Sequence, residues 1–252
     1  MIWCLPGFLG TAADWKPFDE AWAATSGTTV RALDLFDKPL PAETPAQWAF
    51  KFVRALRQVD DAPIIAGYSM GGRLALHALL AEPRLFRAAI IVSAGLGIEG
   101  EEARQERRVR DDRWAARFET EEWRSVVADW NRQPIFGGSP TPRERSETEF
   151  DRDALATALR WWSPAVQKPL GELLGAVIAP VLWVAGERDE RYVDEARRAA
   201  AILPDCTLWI VPGAGHRAPW DAEERFRERV AEFLGEVGSR KGPPPHRMSS
   251  RA

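Results

Sequence analysis

Residues 64–73 read Ile-Ile-Ala-Gly-Tyr-Ser-Met-Gly-Gly-Arg, and this stretch predicts a buried strand, a sharp turn and the start of a helix. The apolar run at its start has no alternation, which is typical of a strand covered on both faces. Helix-forming residues continue to 81. The pattern Gly67-x-Ser69-x-Gly71 between them predicts a nucleophile elbow, in which glycines allow a turn tight enough to expose the Ser69 hydroxyl. Ser69 is therefore the first candidate catalytic residue.

Strand-like and helix-like stretches alternate along most of the chain. Further strands are expected at 1–5, 28–33, 86–93, 181–185 and 207–211, with helices at 14–24, 46–59, 73–81, 193–202 and 222–234. Strands separated by helices predict an α/β fold with a doubly wound, mostly parallel sheet of about six strands. A single α/β domain of this kind is compatible with 252 residues, 45% of them hydrophobic.

The stretch from 99 to 165 has a different character from the rest. It is charged and rich in tryptophan, and it predicts helices at 104–118, 121–131 and 152–162 without strands. We expect a helical lid, inserted before the last two strands and lying over the carboxyl ends of the sheet, where such sheets bind ligands. The predicted core is then 1–98 and 166–237, followed by a polar tail at 238–252 that we expect to be disordered.

Composition excludes several classes of protein. A net charge of −3 and a pI of about 5.8 give no overall basic field, so we expect no nucleic-acid partner. Cys4 and Cys206 lie in apolar runs and are interpreted as core residues, not as a disulfide or metal site. Five residues precede the first turn and no apolar run is long enough to span a membrane, so a cytoplasmic protein without a signal peptide is expected. We expect no metal and no cofactor, and a monomer or weak homo-oligomer.

A serine hydroxyl needs a nearby imidazole to take its proton, and the chain has three histidines. His77 lies about 12 Å along the elbow helix at 1.5 Å per residue, too far from Ser69. His246 belongs to the tail. His216 follows the last predicted strand in Pro-Gly-Ala-Gly-His, a loop at the carboxyl edge of the sheet. It is the candidate base partner.

The acid that orients the imidazole is expected after an earlier strand. The strand at 181–185 ends in Gly186-Glu187-Arg188-Asp189. We favour Asp189 over Glu187 and Glu190 because it lies deeper in the loop. The order serine, acid, histidine is the order of α/β-hydrolase folds.

Two backbone amides are candidates for stabilising negative charge that develops on an oxygen. The amide of Met70 begins the elbow helix, and that of Phe8 lies in the Pro6-Gly7-Phe8 loop after the first strand. Arg73 follows one turn after Ser69. With one or two of the predicted lid arginines it would suit a small-molecule substrate with several carboxylates, since guanidinium binds these bidentately. Most of the arginines of the predicted lid helix are interpreted as a solvated face. The full set is Arg104, Arg107, Arg108, Arg110, Arg113 and Arg117.

Five stretches together resemble one family within the α/β-hydrolase fold, the MenH-type 2-succinyl-6-hydroxy-2,4-cyclohexadiene-1-carboxylate synthases of menaquinone biosynthesis. The stretches are Gly-Tyr-Ser-Met-Gly-Gly-Arg at 67–73, Arg-Trp-Ala-Ala-Arg-Phe at 113–118, Ala-Asp-Trp-Asn-Arg-Gln-Pro-Ile-Phe at 128–136, Gly-Glu-Arg-Asp at 186–189 and Gly-Ala-Gly-His at 213–216. The resemblance runs from about Trp3 to Leu234. The elbow and the last two loops are shared with many hydrolases, whereas the stretch around Trp130 is more particular.

The resemblance implies a lyase that expels pyruvate from a cyclohexene precursor with three carboxylates, without a cofactor. It implies that Ser69, activated by His216 and Asp189, is the proton-abstracting base. The amides of Phe8 and Met70 would form the oxyanion hole. The substrate-binding residues implied by the family motif are Tyr68, Arg73, Arg107 and Trp130.

The chain departs from the family pattern at two places. Pro6 stands where the family usually has a histidine before Gly-Phe, and that histidine helps to shape the oxyanion loop. The family also has another arginine before the last lid helix, and here Arg145 and Arg152 are neighbours of that position. The leading β-hairpin common in the fold is absent from the sequence, which favours six strands.

Two other functions are compatible with the same serine, acid and histidine. A serine hydrolase of this fold could cleave an ester or a carbon–carbon bond of a diketone with the same three side chains. A binding protein that has lost catalysis is disfavoured, because the set Ser69, Asp189 and His216 is complete. Only the lid stretch and Arg73 favour the synthase over the hydrolase.

Overall fold

A six-stranded parallel sheet forms the centre of the protein in a computed structural model that describes residues 1–139 and 141–239. The strands lie in the order β2-β1-β3-β4-β5-β6, and every neighbouring pair is parallel. They are β1 (Ile2–Leu5), β2 (Val30–Ala32), β3 (Ile64–Tyr68), β4 (Ala88–Val92), β5 (Val181–Gly186) and β6 (Cys206–Val211). The predicted fold class is confirmed.

Helices connect the strands and cover both faces of the sheet. The α-helices are α1 (Lys16–Ser26), α2 (Pro45–Leu56), α3 (Met70–Ala81), α4 (Glu101–Thr120), α5 (Trp123–Asn131), α6 (Arg152–Trp161), α7 (Glu190–Ile202), α8 (Ala218–Asp221) and α9 (Glu223–Ser239). Short 3₁₀ helices lie at Ala12–Trp15, Pro134–Phe136, Glu147–Glu149 and Gly171–Ala176.

Alternate residues of each central strand enter two apolar cores, one on each side of the sheet. In β3, Ile64 and Ala66 pack with α1 and α9, while Ile65 packs on the side of α2 and α3. The four inner strands β1, β3, β4 and β5 are buried along their whole length. Burial on both faces explains why these strands are continuous apolar runs in the sequence.

The predicted helical insertion lies between β4 and β5, where α4 packs against α6. Phe118 and Trp123 of the insertion are buried in the same core as α2 and α3. The Arg145 guanidinium joins the insertion to the sheet domain through a buried, two-pronged ion pair with Asp14 at 2.7 and 2.9 Å. Whether 99–165 acts as a lid stays a prediction.

The ends of several helices differ from the expected ones. Helix α4 begins at Glu101, where polar residues carry no apolar periodicity that could reveal a helix. Helix α9 includes Gly238 and Ser239, whereas the sequence placed them in the tail, because Val237 is buried and holds the last turn. The remainder of the predicted tail, 240–252, lies outside the described residues. Among the helices that the structure describes, none is long and apolar enough to cross a bilayer.

Candidate active site

Ser69 occupies the sharp turn between β3 and α3 that the sequence predicts. Its φ and ψ are 52° and −110°, a conformation that costs a non-glycine residue about 1–3 kcal/mol. The turn requires glycine on both sides, since a Cβ on Gly67 would lie 2.4 Å from the Gly71 carbonyl oxygen. A Cβ on Gly71 would lie 2.2 Å from the Leu5 carbonyl oxygen. The backbone thus presents the serine at the carboxyl end of β3.

Ser69, His216 and Asp189 form one hydrogen-bonded chain. The Ser69 Oγ lies 3.0 Å from His216 Nε2, and His216 Nδ1 lies 2.6 Å from Asp189 Oδ2. A carboxylate can only accept, so the proton of the neutral imidazole is on Nδ1 and Nε2 can accept from the serine hydroxyl. The imidazole and the carboxylate are buried, while Ser69 is half-buried. The arrangement is that of an activated hydroxyl.

Close packing of the loops after β5 and β6 brings the acid and the imidazole together. A Cβ on Gly186 would lie 2.0 Å from the Gly215 carbonyl oxygen, so the two loops touch there. The Glu187 carboxylate accepts a hydrogen bond from the Gly213 amide at 2.8 Å. Glu187 therefore holds the loop that carries His216. Glu190 is exposed in the first turn of α7. Of these three acids, Asp189 is the one that contacts the His216 ring.

Neither of the other two histidines is available as the described partner of Ser69, for different reasons. His77 is buried in α3, and burial together with the charge of Arg73 lowers its pKa to about 4. His246 lies outside the described residues. Within 1–139 and 141–239, no three His, Cys, Asp or Glu side chains come together as a metal-ion site.

Phe8 and Met70, whose backbone amides are the predicted oxyanion donors, both border the cavity that contains Ser69. Neither amide donates to another residue in the described part of the chain. The Phe8 loop is held close to α3, because a Cβ on Gly71 would also meet the Pro6 carbonyl oxygen at 2.5 Å. The Phe8 ring packs against Trp130 with centroids 4.5 Å apart, which ties this loop to the insertion. Pro6 is thus compatible with a closely packed oxyanion loop.

A cavity of about 360 Å³ opens above Ser69, between the sheet and the insertion. This volume is typical of small-molecule sites. Three of the four residues implied for substrate binding border it. Among its lining residues are Phe8, Ser69, Met70, Arg73, Arg107, Arg110, Asp111, Trp114, Trp130, Gln133, Asp189, Arg191, Tyr192 and His216.

Arg73 and Arg107 bring two guanidinium groups to this cavity. Arg73 is buried, and within the described residues it donates to two neutral acceptors, Gln167 Oε1 at 3.1 Å and the Trp162 carbonyl at 2.7 Å. Burial, and next the charge of Arg107, lowers the pKa of Arg73 to about 10. It therefore stays a cation at neutral pH. The Nε of Arg107 donates to both Asp111 oxygens, at 2.8 and 2.7 Å, which orients its remaining N–H groups.

Tyr68, the fourth residue implied for substrate binding, lies beside this cavity and not in its lining. It borders a smaller cavity behind Phe8 and Trp130, and its ring lies 5.5 Å from the His216 ring. Burial raises the pKa of the Tyr68 phenol, so it stays protonated.

Sequence reasoning missed several residues around the site. The guanidinium of Arg217 is buried, lies 4.0 Å from the Phe136 ring centroid and donates to the Ser139 carbonyl at 2.6 Å. Its position directly after His216 is the only sequence signal that could have found it. Tyr192 lies in the first turn of α7, shortly after Asp189. Its ring lies 4.6 Å from the His216 ring.

The arginines near the position of the family's further arginine are engaged elsewhere. Arg145 is paired with Asp14, as described above. Arg152 donates to the Phe118 carbonyl at 2.5 Å and pairs with Glu147 at 3.0 Å. Neither borders the cavity with Ser69.

Comparison with known proteins agrees with this fold and site. A family model described as "Alpha/beta hydrolase family" matches residues 4–232. The chain belongs to the alpha/beta hydrolase family. Within this family it is similar to the 2-succinyl-6-hydroxy-2,4-cyclohexadiene-1-carboxylate synthase of Salmonella typhimurium, with 31% identity over 91% of this chain and 92% of that enzyme. The resemblance expected from the sequence is confirmed.

Solved structures of alpha/beta hydrolases give the same picture. MenH from S. aureus superposes with a TM-score of 0.84 at 25% identity, covering 94% of this chain and 93% of that one. A thermophilic esterase from Thermogutta terrifontis superposes with a TM-score of 0.73 at 20% identity, over 94% and 90% of the two chains. The likeness to the esterase concerns the fold alone.

Proposed function

We propose that this protein is a lyase that eliminates pyruvate from 2-succinyl-5-enolpyruvyl-6-hydroxy-3-cyclohexene-1-carboxylate. The product would be 2-succinyl-6-hydroxy-2,4-cyclohexadiene-1-carboxylate, a menaquinone precursor. The synthases to which the chain is 31% identical are named for this product. The observation that carries the proposal is that Arg73 and Arg107 border the same cavity as the Ser69–His216 pair. Guanidinium groups beside a reactive hydroxyl favour a polycarboxylate substrate over a neutral ester.

The bonds that change follow from the names of substrate and product. The ring double bond C3=C4 is replaced by C2=C3 and C4=C5, so a proton leaves C2 and the enolpyruvyl oxygen leaves C5. The C2–H electron pair forms the new C2=C3 bond, the C3=C4 π pair shifts to form C4=C5, and the C5–O pair leaves with the oxygen of the departing enolpyruvate. Protonation of that enolate on its methylene carbon gives pyruvate.

Ser69 is proposed as the base that takes the C2 proton. His216 Nε2 accepts the serine proton, Asp189 stabilises the imidazolium that results, and the alkoxide removes the proton from carbon. C2 is next to the succinyl ketone, whose oxygen gains negative charge as the proton leaves. The amides of Phe8 and Met70 are proposed to donate to that oxygen.

The arginines are proposed to hold the substrate through its carboxylates, of which it has three. Among the described residues, the hydrogen-bond acceptors of Arg73 are neutral, so its guanidinium has no ion-pair partner there and is proposed to pair with a substrate carboxylate. Trp130 lies between Phe8 and Trp114 and would pack on the ring. Tyr68 is proposed to support substrate binding indirectly, by packing against the His216 ring from outside this cavity.

Release of pyruvate by the purified protein tests the proposal. Pyruvate would be detected with lactate dehydrogenase and NADH, with the cyclohexene precursor as substrate. A serine hydrolase is the alternative function, and p-nitrophenyl esters test it in parallel. Pyruvate release with slow ester turnover supports the lyase, and rapid ester turnover without pyruvate release would establish the hydrolase. Failure of a fluorophosphonate to label Ser69 would argue against both.

A further inference from the structure

We propose that Arg110 and Arg191 form a second carboxylate subsite at the mouth of the cavity. This subsite would bind the carboxylate at the end of the substrate's succinyl arm, which is the carboxylate farthest from the reacting bonds. The inference rests on the proposed function, since it names where one part of the proposed substrate binds. Neither residue is implied by the family resemblance.

Among the described residues, four arginines border the cavity, and their exposure separates an inner from an outer pair. Arg73 is 6% exposed and Arg107 is half-buried, whereas Arg110 and Arg191 are exposed. The inner pair therefore lies in the depth of the cavity near Ser69, and the outer pair lies where the cavity meets solvent. A substrate with carboxylates on both its ring and a flexible arm would span the two pairs.

The outer arginines come from two different elements that border the cavity. Arg110 follows Arg107 by three residues on α4, and with Trp114 they share one helix face, which borders the cavity. Arg191 is the second residue of α7, on the side of the sheet domain. The positive end of the α7 dipole adds to its charge at this point. A carboxylate held by both arginines would connect the insertion to the sheet domain.

The charges in the cavity lining do not balance. Within 1–139 and 141–239, four arginines of the lining face two carboxylates, and both carboxylates already have partners: Asp111 binds Arg107 and Ser163, and Asp189 binds His216. In the described part of the chain, neither Arg110 nor Arg191 forms an ion pair. Partial burial, and next the charge of Arg107, lowers the pKa of Arg110, with Arg191 contributing in the same direction. A bound carboxylate would relieve this repulsion between cations.

Two other arginines of α4, Arg108 and Arg113, serve as controls, whereas the remaining two already have partners. Arg104 and Arg117 pair with Glu101 and Glu121. Arg108 and Arg113 form no ion pair within the described residues, as is true of Arg110, but they do not border the cavity. Replacing these two removes the same total charge as replacing Arg110 and Arg191, without touching the proposed subsite.

The test compares the double variant Arg110→Gln/Arg191→Gln with the control Arg108→Gln/Arg113→Gln. With the cyclohexene precursor, we expect KM to rise about tenfold or more in the first variant, with a much smaller fall in kcat, because one charged hydrogen bond contributes about that factor. The control should change KM by less than twofold. An equal KM in the two variants would overturn the subsite.

A binding measurement separates failure of this inference from failure of the proposed function. Calorimetric titration with tricarballylate, an unreactive tricarboxylate, requires no turnover. Tighter binding to the wild type and the control than to Arg110→Gln/Arg191→Gln supports the subsite even if no pyruvate is released. Equal affinity in the three proteins, or no binding to any of them, overturns the subsite even if the protein is the proposed lyase.

Discussion

At the scale of single residues, the site depends on one strained serine and the two side chains that act on it. The positive φ of Ser69 is imposed by a turn that needs glycine at 67 and 71. That strain fixes the direction of the hydroxyl, and the 3.0 Å contact with His216 then requires no rearrangement before reaction. Preorganisation of this kind is where enzymes gain much of their rate.

Replacing Asp189 with Asn should leave the fold intact and nearly abolish activity. The amide can donate to His216 Nδ1, which stabilises the tautomer that cannot accept the Ser69 proton. Loss of this interaction in Ser-His-Asp enzymes costs on the order of 10⁴ in kcat. The matched control is Glu187→Gln in the same loop, which keeps an oxygen for the Gly213 amide. Similar kcat values for the two variants would exclude Asp189 as the orienting acid.

The sequence predicted these three residues because each belongs to a short, ordered motif after a strand. It could not distinguish Arg110 from Arg108, since both are arginines in one charged helix. Only the packing of α4 against α6 decides which helix face borders the cavity. Arg217 was missed for a similar reason, because its burial depends on Phe136 and Ser139, which are far from it in sequence.

At the scale of elements, β1 and α3 approach each other so closely that only glycine fits between them. A Cβ on Gly71 would lie within 2.5 Å of two carbonyl oxygens, those of Leu5 and Pro6. The same contact positions the loop that carries the Phe8 amide. Stability and the proposed oxyanion hole therefore depend on one backbone contact.

The variant Gly71→Ala should be destabilised by about 1–3 kcal/mol or more, the usual cost of overpacking, and should lose most of its activity. Gly175→Ala is the control, because a Cβ at Gly175 would meet no atom within 4 Å. Urea unfolding gives the change in free energy. Wild-type stability of Gly71→Ala would show that β1 and α3 can move apart, contrary to the close packing described here.

Element positions were predictable where apolar residues repeat, and their ends were not. The inner strands are continuous apolar runs and match the expected positions. Helix α4 starts three residues before its expected start at 104, because Glu101 and Glu102 favour a helix N-terminus through their charge and not through apolar spacing. The order of the strands in the sheet depends on contacts between distant segments, which periodicity does not contain.

At the scale of the whole molecule, a chain of net charge −3 surrounds a cavity in which, among the described residues, the arginines of the lining outnumber its carboxylates. Such an arrangement focuses positive potential in the cavity while the remaining surface stays anionic. The charges of the chain as a whole therefore gave no sign of an anion site. The motif around Ser69, with Arg73 one turn later, is the local pattern that predicted an anion-binding site.

Stability should fall as the pH is lowered, in part through His77. Its pKa is about 4 in the folded protein and about 6.5 when unfolded, so the unfolded chain binds more protons between these values. The contribution of neutral His77 to the free energy of unfolding is fully present above about pH 6.5 and is lost as the pH falls towards 4. At pH 5 the loss is about 2 kcal/mol. Urea unfolding at pH 7 and pH 5 should show a smaller loss for His77→Gln than for the wild type. Equal losses would mean that protonation of His77 does not oppose folding.

The most direct test of the central claim is pyruvate release by Ser69→Ala at saturating cyclohexene precursor. Calorimetric binding of the precursor to the same variant is the control for an intact cavity. If Ser69 is the base, the variant should bind the precursor and release pyruvate at least about 10³-fold more slowly than the wild type. Pyruvate release within tenfold of the wild-type rate would contradict the claim that the Ser69 hydroxyl, activated by His216, removes the proton.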